Sequence, residues 1–417
     1  MTSSSRFMPS SRRAHIGRTH RRATALVAAA LFGVLGTVTA SSAGALTTTS
    51  ATASAPAPTD SAPASYIITL KPGENPRSVA AVAGVAPDFV YEHALLGFAA
   101  TLNDGQLTAL RHSRAVAAIE PDQAIKADGY LAQTMPSGQP WGVDRIDQRS
   151  GLSRTYTYWS SGAYGQGTGV RAYVIDSGIA TAHPDFGGRA TNVYDAFGGS
   201  GEDCNGHGTH VAGTIGGRVY GVAKNVRLLG VRVMGCDGRF RNGSLSTAIA
   251  GVDWVRGYAI KPAVANISWH TTTGISAALN TATANLVNSG VFVAVAAGND
   301  RADSCNDSPS SAAGTVTVAA SDWYDARASF SNYGACVDLY APGVSITSTY
   351  LNGATQTLSG TSMASPHVAG VAALLKSDYG DQASATISSW ILNGTTNNVI
   401  SGNITGTPNR LLYMSGW

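Results

Sequence analysis

From Trp141 onward the chain alternates short, unbroken apolar runs with stretches of helical periodicity. The runs are rich in β-branched residues and fall at Val170–Ile175, Val226–Val233, Val264–Ile267, Val291–Ala296, Val316–Ala319 and Val337–Tyr340. Between several of them the patterns His207–Gly216, Ser244–Val255 and Ile275–Ser289 predict helices. A strand that is apolar on both sides belongs in a parallel sheet with helices on both faces. Residues 134–417 are therefore expected to form one α/β domain whose site lies beyond the carboxyl ends of its strands. Ahead of it the elements are shorter: a strand at Tyr66–Leu70, a helix at Pro76–Val85, a strand pair within Phe89–Thr101, a helix at Asp104–His112 and a strand at Val116–Glu120. These predict a small α+β unit over 65–133, with a core too thin to be more than marginally stable alone.

The first 45 residues follow another pattern. Six arginines and no acid occupy positions 1–22, followed by the uncharged apolar run Ala25–Leu35 and small residues around Val38–Ala40 and Ala43–Ala45. Basic, apolar and small-residue segments in that order predict a secretory signal peptide over 1–45, removed from a secreted, extracellular product. The apolar run is shorter than the ~20 residues needed to cross a bilayer, so no membrane attachment is expected after cleavage. An Ala/Thr/Ser/Pro-rich linker, 46–64, comes next. The arginines also explain the basic balance. Of 28 Lys+Arg against 25 Asp+Glu, 22 basic residues remain without them, and from Thr134 onward there are 17 of each sign. No nucleic-acid partner is implied.

Four motifs carry chemistry. The run Val170–Ile175 ends on Asp176, a carboxylate at the tip of a buried strand, which must find partners. His207 follows between two glycines at the start of a predicted helix, where something must approach the backbone closely. The run Val291–Ala296 leads to the side-chain amide of Asn299. Last comes Gly360-Thr361-Ser362-Met363-Ala364-Ser365-Pro366-His367, running into an alanine-rich apolar stretch. Proline is tolerated in the first turn of a helix, so Pro366 places the helix start near Thr361 or Ser362, with Ser362 at its positive end. A hydroxyl needs an imidazole to take its proton, the imidazole needs a carboxylate to fix its tautomer, and the oxyanion that results needs preorganised donors. The Ser362 motif loosely resembles a nucleophile elbow, but that fold places acid and histidine after the serine, and too little chain remains. His207 and His210 lack the His-Glu-x-x-His zinc pattern, and His210 reads as structural.

In the order Asp, His, Asn, Ser, these motifs resemble the subtilisin-like serine proteases, whose Asp-His-Ser order is that of subtilisin itself. The resemblance is to the proteinase K branch, and within it to aqualysin-like enzymes. It is carried by Pro140-Trp141-Gly142, Asp144–Gln148, Cys204–His210, Ala297-Gly298-Asn299, Phe330–Gly334, the Ser362 motif and Pro408–Tyr413. It implies a subtilisin-like fold, with a mostly parallel central sheet covered by helices on both faces, behind an inhibitor-type propeptide over 65–133. It also implies a self-processing serine endopeptidase with Asp176, His207 and Ser362 as triad and Asn299 in the oxyanion hole. Its partners would be protein or peptide substrates and its own propeptide, released by cleavage near Leu131–Thr134, and it would act as a monomer. The four cysteines allow three pairings, of which the resemblance selects Cys204–Cys236 and Cys305–Cys336. Structural Ca²⁺ is implied at Asp338 with the carbonyls of Ala313 and Thr315, and at a second site of Asp144, Asp147 and Gln148. No catalytic cofactor is implied.

Two segments depart from the family. Where a Ser-Leu-Gly strand normally meets the substrate, this chain has Ser268-Trp269-His270, and histidine at the glycine position is expected to narrow the groove. The facing segment Cys236–Ser244 is longer than usual and carries Arg239, Phe240 and Arg241. The alternative to an active protease is a catalytically impaired scaffold serving as a binding or surface protein.

Overall fold

The computed structural model describes residues 62–127, 130–131, 140–157, 166–236 and 243–414. The expected signal peptide and nearly all of the expected linker lie outside the described residues. The elements of 62–131 are β1 (Ala64–Leu70), α1 (Pro76–Val82), β2 (Phe89–Tyr91), β3 (Gly97–Leu102), α2 (Asp104–His112), β4 (Val116–Pro121), β5 (Ala124–Ala127) and β6 (Tyr130–Leu131). The first four strands form an antiparallel sheet in the order β2-β3-β1-β4. Its small core is built from Ile68, Leu70, Phe98, Leu102 and Leu110. Both helices begin on an asparagine that accepts a backbone N–H, and Asn103 and Gln106 form a reciprocal capping box.

The larger domain begins with α3 (Trp141–Ile146), β7 (Arg171–Asp176), β8 (Ala190–Asp195), α4 (His207–Gly216), β9 (Arg227–Arg232), β10 (Gly243–Ser244) and α5 (Leu245–Tyr258). There follow β11 (Ala263–Ile267), β12 (Trp269–Thr271), α6 (Ala277–Asn288), β13 (Phe292–Ala296), β14 (Val316–Ser321), β15 (Leu339–Pro342), β16 (Ile346–Thr349) and β17 (Thr355–Ser359). The chain closes with α7 (Thr361–Tyr379), α8 (Ser384–Gly394), β18 (Thr396–Asn397) and β19 (Arg410–Leu411). The main sheet runs β18-β19-β15-β14-β13-β11-β7-β9-β8, parallel throughout except for the β18–β19 edge. All six apolar runs of the sequence lie in it as consecutive neighbours. Two buried clusters cover its faces, one containing α4 and α7 residues such as Val211, Ile215, Val368 and Val371, the other α5 and α6 residues such as Leu245, Ile249, Leu279 and Leu286. The sequence reading missed β8, whose Ala-Thr-Asn-Val-Tyr-Asp is half-buried at a sheet edge, and α8.

The small domain docks on the large one through carboxylates. Asp253 of α5 accepts the backbone N–H groups of Glu92, His93, Ala94 and Leu95 at 2.5–3.3 Å. In return Asp122 accepts from Ser246 N and Oγ (3.0 and 2.6 Å), and Glu120 accepts from Ser276 Oγ and Ala278 N (2.8 and 2.9 Å). The acids thus sit on the N-termini of α5 and α6, where unpaired N–H groups and the positive end of the dipole favour negative charge.

Candidate active site

Asp176 leaves the carboxyl end of β7 and meets His207 at the first position of α4. His207 Nδ1 lies 2.8 Å from Asp176 Oδ1, and neither side chain is exposed. The glycines around His207 permit this approach. A Cβ on Gly208 would stand 2.2 Å from the Gly178 carbonyl and 3.2 Å from Asp176 Cβ, and one on Gly206 (φ +98°) would enter the Tyr350 ring. Asp203, which the sequence reading passed over, organises the turn. Its carboxylate accepts from Ser177 Oγ and the N–H groups of Asn205, Gly206 and Thr209, all at 2.9 Å, and from Thr209 Oγ1 at 2.5 Å. Burial raises the pKa of Asp203 and these hydrogen bonds oppose the rise.

Ser362 is the second residue of α7, behind Gly360. Pro366, expected in the first turn, stands further inside the helix. It has no N–H to offer the Ser362 carbonyl one turn back. Ser268 Oγ donates to that carbonyl instead, at 2.9 Å, and Ser362 Oγ donates to the Ser268 carbonyl at 2.7 Å. Asn266 holds the arrangement, donating to Ser268 Oγ (2.8 Å) and accepting from Ser365 Oγ (2.7 Å). Asn299 Oδ1 accepts from both Thr361 N and Thr361 Oγ1 at 2.9 Å, which commits its oxygen and leaves Nδ2 as its donor. His210 donates Nε2–H to the carbonyls of Ile346 and Gln356 (3.0 and 3.1 Å), and burial lowers its pKa to about 3. It is a structural neutral histidine. His367 is another, lowered by burial to about 4 with Nδ1 2.9 Å from the Met363 carbonyl.

A peptide already lies in the groove. β5 pairs antiparallel with β10 on one side and β12 on the other, Lys126 opposite His270 and Ile125 opposite both Thr271 and Gly243. Ile125 is fully buried, and Gly243 makes room for it, since a Cβ there would stand 2.6 Å from Ile125 Cδ1. The chain next pairs with β17 through Tyr130 and Leu131. Histidine at position 270 leaves room for this pairing. Its side chain lies on the outer face of β12, buried beside Asp300 (Nε2–Oδ2 3.4 Å) and Asp307 (Nδ1–Oδ2 3.7 Å). Trp269 faces the interior, with Nε1 donating to the Ile175 carbonyl at 2.8 Å. The facing arginines, Arg239 and Arg241, lie outside the described residues.

Residues 167–417 match the Subtilase family, and residues 65–128 match the Peptidase inhibitor I9 family. The chain belongs to the subtilase family. The protease is similar to the "Extracellular serine proteinase" of Thermus sp. (strain Rt41A), 49% identical over 335 residues that cover 79% of this chain and 78% of the relative. It is similar also to the "Cuticle-degrading protease" of Metarhizium anisopliae, 47% identical over 332 residues covering 78% and 82%. A crystal structure of "a cold adapted subtilisin-like serine proteinase" matches at 46% identity and a TM-score of 0.63, covering 67% of this chain and all of that one. The chain is thus a subtilisin-like serine endopeptidase with an inhibitor-type prosegment.

Both expected disulfides of the protease form, Cys204–Cys236 and Cys305–Cys336, with Cα–Cα separations of 5.0 and 5.1 Å. The calcium sets differ in fit. Asp338 is half-buried just ahead of β15, beside the turn at Ala313–Thr315 that leads into the neighbouring strand β14. Burial raises its pKa, and Thr317 N occupies only Oδ2, at 2.8 Å. A desolvated carboxylate suits a hard cation such as calcium. The second set is partly engaged with its own loop. Both oxygens of Asp144 accept donors from Gln148, Ser153 and Arg154, Asp147 Oδ2 accepts from Thr157 N at 2.5 Å, and Gln148 presents its amide nitrogen. Asp147 Oδ1 is buried without a hydrogen-bond partner, and burial raises the Asp147 pKa, so this set keeps one carboxylate oxygen that a cation could satisfy.

Proposed function

We propose that the chain is a secreted serine endopeptidase that cuts itself from its prosegment, with Asp176, His207 and Ser362 as catalytic groups and Asn299 as oxyanion donor. The observation that carries this reading is the path of the prosegment, which lies as the middle strand between β10 and β12 and then joins the strand leading into α7. Tyr130 pairs with Ser359, three residues ahead of Ser362. With Nδ1–H donated to Asp176, His207 keeps Nε2 as the base. Ser362 Oγ turns from the Ser268 carbonyl, gives its proton to Nε2 and attacks the peptide carbonyl. Asn299 Nδ2 and the Ser362 N–H receive the oxyanion. The imidazolium then protonates the leaving amine, and water, deprotonated by His207, resolves the acyl-enzyme.

On this reading the processed bond falls between Ala127, where one strand pairing ends, and Tyr130, where the next begins. That is ahead of the 131–134 read from sequence, of which 132–134 lie outside the described residues. N-terminal sequencing of the first processed species is expected to begin at residue 128, 129 or 130. A first cut at or beyond Leu131 would show that this register is not the reactive one.

Asp338, with the Ala313 and Thr315 carbonyls, is proposed to hold the structural calcium, tying the ends of β14 and β15 together. Chelation is expected to lower the thermal midpoint, by an amount set by about 2.7 kcal/mol at a free calcium concentration 100-fold above Kd. Asp338→Asn is expected to remove most of that shift, and a calcium response undiminished in this variant would take the ion elsewhere.

A further inference from the structure

Opposite residues of an antiparallel pair point to the same face, so Lys126 of the prosegment and His270 of the protease share one side of the β5–β12 pair. Asp300 receives both: Lys126 Nζ lies 3.0 Å from its Oδ1 and His270 Nε2 lies 3.4 Å from its Oδ2. Asp300 is held in place from behind. Asn332 Oδ1 accepts the Asp300 and Ala302 N–H groups at 2.9 Å, and Asn332 Nδ2 donates to Asp307 Oδ2 at 3.2 Å. Asp307 stands in turn beside His270 Nδ1. Among the described residues His270, Asp300 and Asp307 form the group whose ligating atoms lie within 4.8 Å of one another, and the cation paired with it is the Lys126 ammonium. That ion pair is partly open to water, the Lys126 side chain being 17% exposed and that of Asp300 46%.

The prosegment lies where a substrate would lie, so the side chain on this face of β5 marks a substrate position. We propose that Asp300, braced by Asn332 and backed by His270 and Asp307, is a specificity-determining residue that selects a lysine or arginine in the substrate residue opposite His270. The inference rests on the reading of β5 as a substrate mimic. The acidic pocket makes use of the His-for-Gly departure, because the imidazole fills the space beneath Asp300 and gives its second oxygen a partner.

The test uses mature protease released from the full chain and matched peptides with Lys, norleucine or Glu at the second, third or fourth residue before the cleaved bond. This is the span that Lys126 can occupy given a bond between Ala127 and Tyr130. At one of these positions kcat/KM is expected to favour Lys over norleucine about five-fold, the upper range for a partly exposed ion pair, and to disfavour Glu. The ratio should shrink in 1 M salt, where the Debye length falls to about 3 Å. In Asp300→Asn the Lys-to-norleucine ratio is expected to fall to about one, and in Asp300→Lys the ratio of Glu to norleucine should rise instead. A wild-type ratio near one at all three positions, or a lysine preference that survives Asp300→Asn, overturns the inference. Should the variants not fold, the wild-type ratio and its salt dependence decide alone. If wild-type enzyme cleaves none of the peptides, including norleucine, the functional reading itself has failed.

Discussion

Replacing Ser362 with alanine is expected to abolish turnover, a loss of the size known for the nucleophile of subtilisin, about 10⁶-fold. The change removes one oxygen at the second position of α7. The helix keeps its packing, and the Ser268 Oγ bond to the residue 362 carbonyl survives because it uses only the backbone. A fluorophosphonate probe should therefore label the wild-type chain once and the variant not at all. Processing provides a second readout. The variant should accumulate as a single unprocessed species, folded and carrying its prosegment in the groove. A variant that matured by itself and cleaved casein would refute Ser362 as nucleophile.

The second large effect is expected at Asp176. Asp176→Asn has nearly the same shape, and Oδ1 can still accept the Ser177 N–H now bonded at 2.8 Å. What changes is the imidazole, because an amide no longer holds the proton on Nδ1 or stabilises the charged ring. In an unrelated serine protease the same exchange lowers kcat about 10⁴-fold with the geometry intact. A loss of that order in kcat, with KM and thermal midpoint nearly unchanged, is expected here. A comparable fall in stability would mark Asp176 as chiefly structural.

The sequence made the central sheet legible because its strands are apolar on both sides and recur between helical patterns. The four chemical groups were legible for a related reason, since each ends a regular element. What escaped was set by contacts between segments far apart in the chain. The edge strand β8 has a polar, half-buried pattern with no distinctive period. Pro366 looked like a first-turn residue because nothing local indicates that Ser268, 94 residues before Ser362, replaces the hydrogen bond missing at the Ser362 carbonyl. The partners of His270 were not legible either, because the sequence does not say which face of a strand a side chain takes, and the structure turns it toward Asp300 and Asp307. Asp203 and Asp253 read as ordinary acids, although each gathers several backbone N–H groups.

Glu120 and Asp122 cap helices of a domain from which maturation removes them. While the chain folds, α5 and α6 have those carboxylates at their N-termini, contacts worth on the order of 1 kcal/mol each. Once the prosegment is cut away and degraded, the same helices and Asp253 face water. The mature enzyme therefore occupies a basin entered with help it no longer has, and its route back after denaturation differs from its route in. Its working lifetime is governed by how fast it opens, and each opening is an opportunity for another copy to digest it. Maturation on this account is a one-way step, and the endurance of the mature enzyme depends on the height of the unfolding barrier.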